Sequence, residues 1–274
     1  HPMKTFRTFF SIALVFALIG GCTPEPKGLG KSLSYWVEKV DSDDDLDRRR
    51  ACEAFIEIGE PAAVAAEKVG VLLDDINPGI QAIATRALAA MGPKAYPVLE
   101  ARLKDSMPHI RLRAGMALLE ANPSHVAAKD VVFAAFTGLG NAELAKNARE
   151  FIIRRKTEQV DLLVRGLQSK FDDVKEIAVR SIGKLERHGV AAASNLVAIA
   201  KDDAAKLEIR TASLKAVAAV APREVSEPLF NELVDSEIEA VADTAGFMLN
   251  FIGAREGITG NEGGEAPKGD PLID

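Results

Sequence analysis

The side chains best suited to catalysis or metal binding are few in this sequence and lie far apart. The internal histidines His109, His125 and His188 fall in separate stretches, and no His-x-x-x-His or Glu-x-x-His spacing occurs. Metal sites on helices use such spacings because they place two ligands on one face. A glycine-rich phosphate loop and a Gly-x-Ser-x-Gly nucleophile motif are also missing from the sequence. The sequence therefore predicts no catalytic residue, no metal ligand and no bound cofactor.

An acidic run from Asp41 to Asp47 has only part of the pattern of a calcium-binding loop. Such a loop needs glycine at its sixth position and glutamate at its twelfth, where this chain has Leu46 and Cys52. Acidic side chains also stabilise the positive N-terminus of a helix. We therefore predict that these acids begin a helix and do not bind calcium.

Cys22 lies directly after a segment that is typical of a signal peptide. A basic start is followed by an apolar stretch over residues 9–19, which is too short to cross a bilayer core of ~30 Å. The next residues, Ile19-Gly20-Gly21-Cys22, resemble the lipobox of bacterial lipoproteins. The resemblance implies cleavage before Cys22, a diacylglyceryl group on its thiol and acylation of the new amino terminus. The alternative is an ordinary secretory signal in which this cysteine is incidental.

The resemblance to lipoproteins also implies a location. Membrane attachment through lipid on Cys22 would place the protein on the bacterial cell envelope. Thr23 stands where an aspartate would retain a Gram-negative lipoprotein at the inner membrane, so the outer membrane is expected in such an organism. We predict a signal peptide over residues 1–21, in which His1 and Pro2 precede the natural start, and a lipidated tether over residues 22–33.

The overall charge argues against nucleic acid as a partner. The formal charge is −6, and removal of residues 1–21 takes away Lys4 and Arg7 and no acid, which leaves −8. A nucleic-acid-binding protein usually carries a basic stripe, because contacts to phosphate dominate its affinity. The arginines Arg48 to Arg50 follow the acidic run, so they are neutralised locally.

A small residue followed four positions later by a bulky apolar residue returns seven times along the chain, and in five of the seven a second bulky apolar residue stands three positions further on. The small residues are Ala51, Ala84, Ala114, Ala148, Ala178, Ser213 and Ala245, at spacings of 30 to 35 residues. A period of this size is typical of stacked helix pairs, and the low aromatic and high alanine content favours thin, closely packed helices. We therefore predict an all-α fold.

Turn residues recur at one place within the repeat. Gly59-Glu60-Pro61, Gly92-Pro93, Asn122-Pro123 and Ala221-Pro222 each separate a first helix from a second. Glycine or asparagine at positive φ ends a helix, and proline suits the first turn of the next one. The fourth unit departs from this pattern, with Lys156-Thr157 at the corresponding place.

These residues carry a family resemblance. The order of an aliphatic-Arg pair, alanine, Ala-Leu and a turn resembles HEAT repeats of the phycobilin-lyase kind, as in Ile110-Arg111, Ala114, Ala117-Leu118 and Asn122-Pro123. The resemblance implies a right-handed α-solenoid of HEAT-like helix pairs, which we place at residues 34–253. A non-repeating helical bundle is the alternative. We expect a capping helix around Trp36 and a disordered, acidic tail over residues 254–274.

One set of positions on the second helices, which we call the column, is a candidate binding surface. Each member stands two residues before the central apolar residue of its helix. The members are Glu67, Pro97, Asp130, Asp161, Ser194 and Glu227. Four of the six residues are acids, so the column would suit a basic segment of a protein partner. The alternative is an ordinary solvated face in an acidic protein.

The sequence favours a lipid-anchored, non-catalytic scaffold for protein interactions. Helical repeats present long curved surfaces, and the residues of this chain supply no catalytic pattern. A lyase-like enzyme or enzyme accessory of the phycobilin-lyase class is one alternative, and a purely structural component of the envelope is another.

Overall fold

The computed structural model describes residues 24–138 and 141–259. The signal peptide expected at residues 1–21 and the lipidation expected at Cys22 lie outside the described residues, as do residues 260–274. Within the described chain a two-stranded hairpin precedes fourteen α-helices. The protein is an all-α helical repeat, or α-solenoid.

The helices follow one another as a short leading helix, six pairs and a final single helix. After strands β1 Lys27–Gly28 and β2 Lys31–Ser32, they are α1 Leu33–Lys39; α2 Asp45–Ile58 with α3 Ala66–Val71; α4 Pro78–Ala90 with α5 Tyr96–Arg102; α6 Pro108–Ala121 with α7 Val126–Phe136; α8 Ala142–Arg154 with α9 Val160–Leu167; α10 Asp172–Gly183 with α11 Ala193–Lys201; α12 Leu207–Val220 with α13 Arg223–Leu233; and α14 Glu239–Thr259. First helices pack closely on first helices at both ends of the array, as α2 does on α4, α4 on α6, α10 on α12, and α12 on α14. In the middle, α8 contacts α6 and α10 less and packs mainly against α7.

The seven small residues of the repeat form the centre of the core. Ala51, Ala84, Ala114, Ala148, Ala178, Ser213 and Ala245 are all fully buried. A larger side chain at these positions would hold neighbouring helices apart, since protein interiors are close-packed. The sequence prediction of the repeat and its phase is therefore confirmed.

In four units, a polar side chain three positions before the small residue donates a hydrogen bond to a backbone carbonyl in or next to the loop between units. Arg48, Gln81 and Arg111 each donate to the backbone carbonyl six residues earlier, at 2.9, 2.6 and 2.7 Å. In the sixth unit Arg210, which is only 2 % exposed, donates to the carbonyl of Ala200 and pairs with Asp203. The aliphatic-Arg pair of the repeat thus has a structural role, which is to satisfy loop carbonyls that the helices cannot reach.

A second recurring feature of these loops was missed by the sequence analysis. A serine or aspartate side chain accepts a hydrogen bond from the backbone N–H two residues later, just before the next first helix. The acceptors are Ser42, Asp75, Asp105, Ser169, Asp202 and Ser236. Such turns satisfy backbone donors locally and fix the direction in which the chain enters the next helix.

The turns within units follow two geometries. Gly59 and Gly92 have φ of 72° and 64°, as predicted, and Lys156 and Glu186 take the same left-handed conformation at 48° and 50°. Asn122 was expected to do so and does not, since its φ is −142°. A 3-10 segment follows each left-handed turn, whereas α7 and α13 begin directly after an extended residue.

The first unit begins as the acidic run predicts. Asp44 caps α2 by accepting from the N–H of Leu46, and Asp45 and Asp47 lie in its first turn. Trp36 lies in α1, is 5 % exposed and covers the start of the solenoid.

Both ends of the solenoid differ from their expected boundaries. Residues 22–33 were expected to be a tether, but from Glu25 onward the chain is bonded to α1 and α2. At the other end, α14 continues to Thr259, six residues past the expected limit at 253. Gly253 does not stop this helix, because the residues that follow, Ala254-Arg255-Glu256, are good helix formers.

Candidate functional site

The candidate column lies on the exposed side of the second helices. Its members are Glu67 in α3, Pro97 in α5, Asp130 in α7, Asp161 in α9, Ser194 in α11 and Glu227 in α13. Glu227 is half-buried and the others are exposed. Five of the six predicted positions are thus exposed on the second helices.

Two crossed ion pairs join α7 to α9 in the middle of this face. Lys129 pairs with Asp161 at 2.6 Å, and Arg165 pairs with Asp130 at 2.7 Å. The Arg165 guanidinium also lies 4.2 Å from the ring centroid of Phe133, as in a cation–π contact. This patch, which we call the α7–α9 patch, carries two positive and two negative charges.

The remaining acids of the column have different surroundings. Glu227 pairs with Arg223 at 2.7 Å within α13, and this hydrogen-bonded pair holds the pKa of the Glu227 carboxyl below its usual value. Glu67 has no ion pair among the residues that the structure describes. Its neighbour Lys68 instead binds Asp41 and the carbonyl of Val37. The column is thus acidic in composition, but nearby cations neutralise three of its four acids.

Polar contacts and ion pairs recur between neighbouring units on this side of the molecule. Beyond the α7–α9 patch, His125 lies 3.1 Å from Glu100, and Lys201 pairs with Glu232. Exposed pairs of this kind contribute only ~0–1 kcal/mol each, so they add little to stability. The sequence signal that could have found them is opposite charge about one repeat apart, as between Lys129 and Asp161.

An open groove of about 500 Å³ lies beside Glu67 at the first two units. Asp41, Arg48, Lys68 and Arg102 line it together with Val40, Val71 and Leu72. Val71 is 62 % exposed there. The groove combines apolar surface with charges of both signs.

A second groove, of about 260 Å³, separates α10 from α12 on the side of the first helices. Its floor includes Gly183, Ala212 and Ala216, and its rim carries Lys184 and Lys215. None of the column residues borders it.

Two of the three internal histidines contact acids of other parts of the array, and His188 is exposed. His109 at the start of α6 lies 2.7 Å from Asp74 in the loop before α4, and His125 lies 3.1 Å from Glu100 in α5. Over residues 24–138 and 141–259, no group of three or more histidine, cysteine or carboxylate side chains is placed to hold a metal ion. Nor is any helix of these residues long and apolar enough to cross a membrane.

No protein-family model and no curated protein matches this sequence. Among solved structures, human deoxyhypusine hydroxylase in complex with glycerol is 15 % identical, with a TM-score of 0.40 over 81 % of this chain and 84 % of that one. The complex of CpcE and CpcF of phycocyanin lyase from Nostoc is 17 % identical, with a TM-score of 0.35 over 84 % of this chain and 97 % of that one.

A designed armadillo repeat protein in complex with a (KR)4 peptide is 19 % identical, with a TM-score of 0.31 over 81 % of this chain and 100 % of that one. These proteins resemble the chain in fold, as arrays of stacked helices. They include both enzymes and non-enzymatic repeats, so the likeness does not extend to a ligand or an activity.

Proposed function

We propose that this protein is a lipid-anchored component of the bacterial cell envelope that binds a protein partner and has no catalytic role. A helical repeat offers a long open surface for such binding. The observation that supports the proposal best is the α7–α9 patch, where two ion pairs and Phe133 hold exposed charged side chains in place. Side chains that are already ordered lose less conformational entropy when a partner binds.

The more specific part of the proposal is that the protein partner presents a basic segment to the acidic column. Glu67 supports it, since this carboxylate is exposed beside the groove and has no ion pair within the described part of the chain. Asp130 and Asp161 can exchange Arg165 and Lys129 for basic groups of a partner at small cost, because exposed pairs are worth only ~0–1 kcal/mol.

The partner is identified by chemical crosslinking of the full-length protein in native membranes, followed by mass spectrometry. Binding of the crosslinked partner is then measured with the double variant Asp130→Lys/Asp161→Lys. We expect binding to weaken by about tenfold at low salt and by less at high salt, because opposed charges are screened. Unchanged binding by the double variant would contradict a basic segment.

This double variant also breaks both ion pairs of the patch, so it needs a matched control. The fourfold variant Lys129→Asp/Asp161→Lys/Asp130→Arg/Arg165→Asp inverts both pairs and keeps them formed. If the acidity of the column matters, this variant binds as weakly as the double variant. If only the ordering of the patch matters, it binds normally. Glu150→Lys on α8 lies off the column and serves as the surface control.

Attachment to the membrane is tested separately. Cys22→Ser should greatly reduce the amount of protein in the membrane fraction and prevent labelling by a radioactive or clickable fatty acid. Globomycin, which blocks the lipoprotein signal peptidase, should make the precursor accumulate. Normal processing in its presence would exclude lipidation at Cys22.

A further inference from the structure

The residues next to Cys22 form a folded cap in place of a flexible spacer. The Glu25 carboxylate accepts from the backbone N–H and the hydroxyl of Ser34, and the carbonyl of Pro26 accepts from the N–H of Leu33 at 2.9 Å. Only Thr23 and Pro24 separate Cys22 from Glu25. The three residues from Cys22 to Glu25 span at most about 11 Å, even when fully extended.

The hairpin that follows is tightly fixed to the body of the protein. The indole N–H of Trp36 donates to the carbonyl of Gly28 at 2.6 Å, and Leu29 donates its backbone N–H to the Glu57 carboxylate at 2.8 Å. A Cβ atom at Gly28 would lie 2.6 Å from the carbonyl oxygen of Ala54. The hairpin is therefore held against α1 and α2 and cannot swing freely.

Leu29 at the tip of the hairpin combines backbone strain with exposure. Its φ is 47° and that of Gly30 is 75°, the combination that two-residue hairpin turns adopt. Asparagine, aspartate and glycine favour this conformation, whereas leucine is strained in it. The Leu29 side chain is nevertheless 48 % exposed. Structure alone does not account for a bulky apolar residue at this position.

The surroundings of Leu29 match the boundary between water and lipid. Lys27 and Lys31 are exposed on either side of the tip. Tyr35 is also exposed, and the ammonium group of Lys31 lies 5.6 Å from its ring centroid. Apolar, aromatic and lysine side chains together are typical of protein surfaces that lie at a membrane interface. Of the nearby acids, Glu25 and Glu57 are bonded to Ser34 and Leu29, and Glu38 is exposed.

We propose that the hairpin tip is a membrane-contact element, in which Leu29 enters the interfacial layer while Lys27 and Lys31 contact anionic headgroups. This inference rests on the proposed lipid anchor, since Glu25, which begins the folded cap, lies within about 11 Å of a lipidated Cys22. A second contact adds to the attachment that the acyl chains provide. In this arrangement the first unit lies directly against the bilayer surface.

The test supplies the anchor chemically, so that it does not depend on lipidation in cells. Protein comprising residues 22–274, which keeps every residue that the structure describes, is coupled at Cys22 to a maleimide phospholipid in vesicles of phosphatidylcholine and phosphatidylglycerol. Cys52 is fully buried and does not compete. Leu29→Trp then reports contact with brominated lipids through fluorescence quenching, and Phe171→Trp is the control at a distant exposed position.

We expect brominated lipid to reduce the added emission of Leu29→Trp by about half, and to leave the emission of Phe171→Trp and of buried Trp36 nearly unchanged. Equal quenching of the two variants, or none in Leu29→Trp, would overturn the proposal.

A second variant separates membrane contact from folding. Leu29→Asn removes the apolar group and suits the positive φ, so the protein should unfold at the same temperature or higher. With Cys22 blocked by N-ethylmaleimide, this variant should sediment with the vesicles several-fold less than wild type, and Lys27→Gln/Lys31→Gln should weaken binding only when phosphatidylglycerol is present. Undiminished sedimentation of Leu29→Asn would contradict the proposal. Failure of lipidation in cells would refute the anchor and leave these vesicle results standing.

Discussion

Arg48 and Asp75 join the first two units through a shielded ion pair. The Nε of Arg48 lies 2.7 Å from one carboxylate oxygen of Asp75 and its Nη2 lies 3.2 Å from the other. The Asp75 side chain is only 4 % exposed and the Arg48 side chain 11 %. The same carboxylate accepts from the N–H of Asn77, and Arg48 also donates to loop carbonyls. This pair therefore ties together a loop, a helix start and a unit boundary.

Replacing Asp75 should destabilise the protein far more than replacing an exposed partner. Asp75→Ala leaves Arg48 without its main counter-ion and Asn77 N–H without an acceptor, and we expect a loss of about 2–3 kcal/mol in the free energy of unfolding. Glu60→Ala breaks the exposed pair with Lys94 and should cost about 0.5 kcal/mol or less. Urea denaturation of both variants tests this, and equal losses would show that burial of the pair does not matter.

Gly92 and Lys156 occupy the same place in the second and fourth units, and substitutions there should have opposite effects. Gly92→Ala forces alanine into positive φ where its Cβ meets nothing within 4 Å, so only backbone strain acts and should cost about 1–2 kcal/mol. Lys156→Gly relieves that strain and should stabilise by up to about 1 kcal/mol.

The measurement is the denaturation midpoint of each variant. Lys184→Gly provides the control, because Lys184 has a right-handed conformation at the end of α10 and glycine should not stabilise it. Stabilisation by Lys184→Gly equal to that by Lys156→Gly would mean that left-handed strain is not the cause.

Lys156 has a conformation that the sequence did not predict. The small, buried residues could be predicted from their regular spacing, because the same position in every unit is under the same packing constraint. Left-handed turns were predicted where glycine or asparagine stood, but Lys156 and Glu186 adopt them without either residue, so residue type alone does not locate them. The hairpin at Leu29 was read as a tether, since a short glycine-containing segment has no period and its contacts with Ala54 and Glu57 are distant in sequence. In the α7–α9 patch, the acids were predicted but their partners Lys129 and Arg165 were not.

Cys52 should be unreactive until the protein opens. The residue is fully buried in α2, and burial raises the pKa of its thiol to about 12. At pH 8 only about one thiol in ten thousand is then ionised, and the thiolate is the reactive form. With Cys22 changed to serine, a thiol reagent should label Cys52 slowly in native buffer and rapidly in urea. Rapid native labelling would show that the first unit opens locally.

Asp105 should contribute to a loss of stability in acid. The N–H of Met107 donates to its carboxylate at 2.9 Å, and this bond, with help from Arg102, lowers the pKa of Asp105 from 3.8. A lowered pKa means that the stabilisation is present above pH ~3.8 and is lost as the pH falls through the folded value. Asp105→Asn should therefore reduce stability at pH 6 and flatten the decline between pH 5 and 3. An unaltered pH profile in urea denaturation would contradict this.

Glu120 in α6 should show the opposite dependence on pH. Burial raises the pKa of its carboxyl from 4.5, against the attraction of Arg155, Arg154 and Arg86. A raised pKa means that its contribution to stability is present below pH ~4.5 and is lost as the pH rises through the folded value, because the charged form is poorly solvated. Glu120→Gln should therefore stabilise the protein at pH 7 and have little effect at pH 3.5. Urea denaturation at the two pH values measures the difference, and a loss of stability at pH 7 would show that the three arginines outweigh the cost of burial.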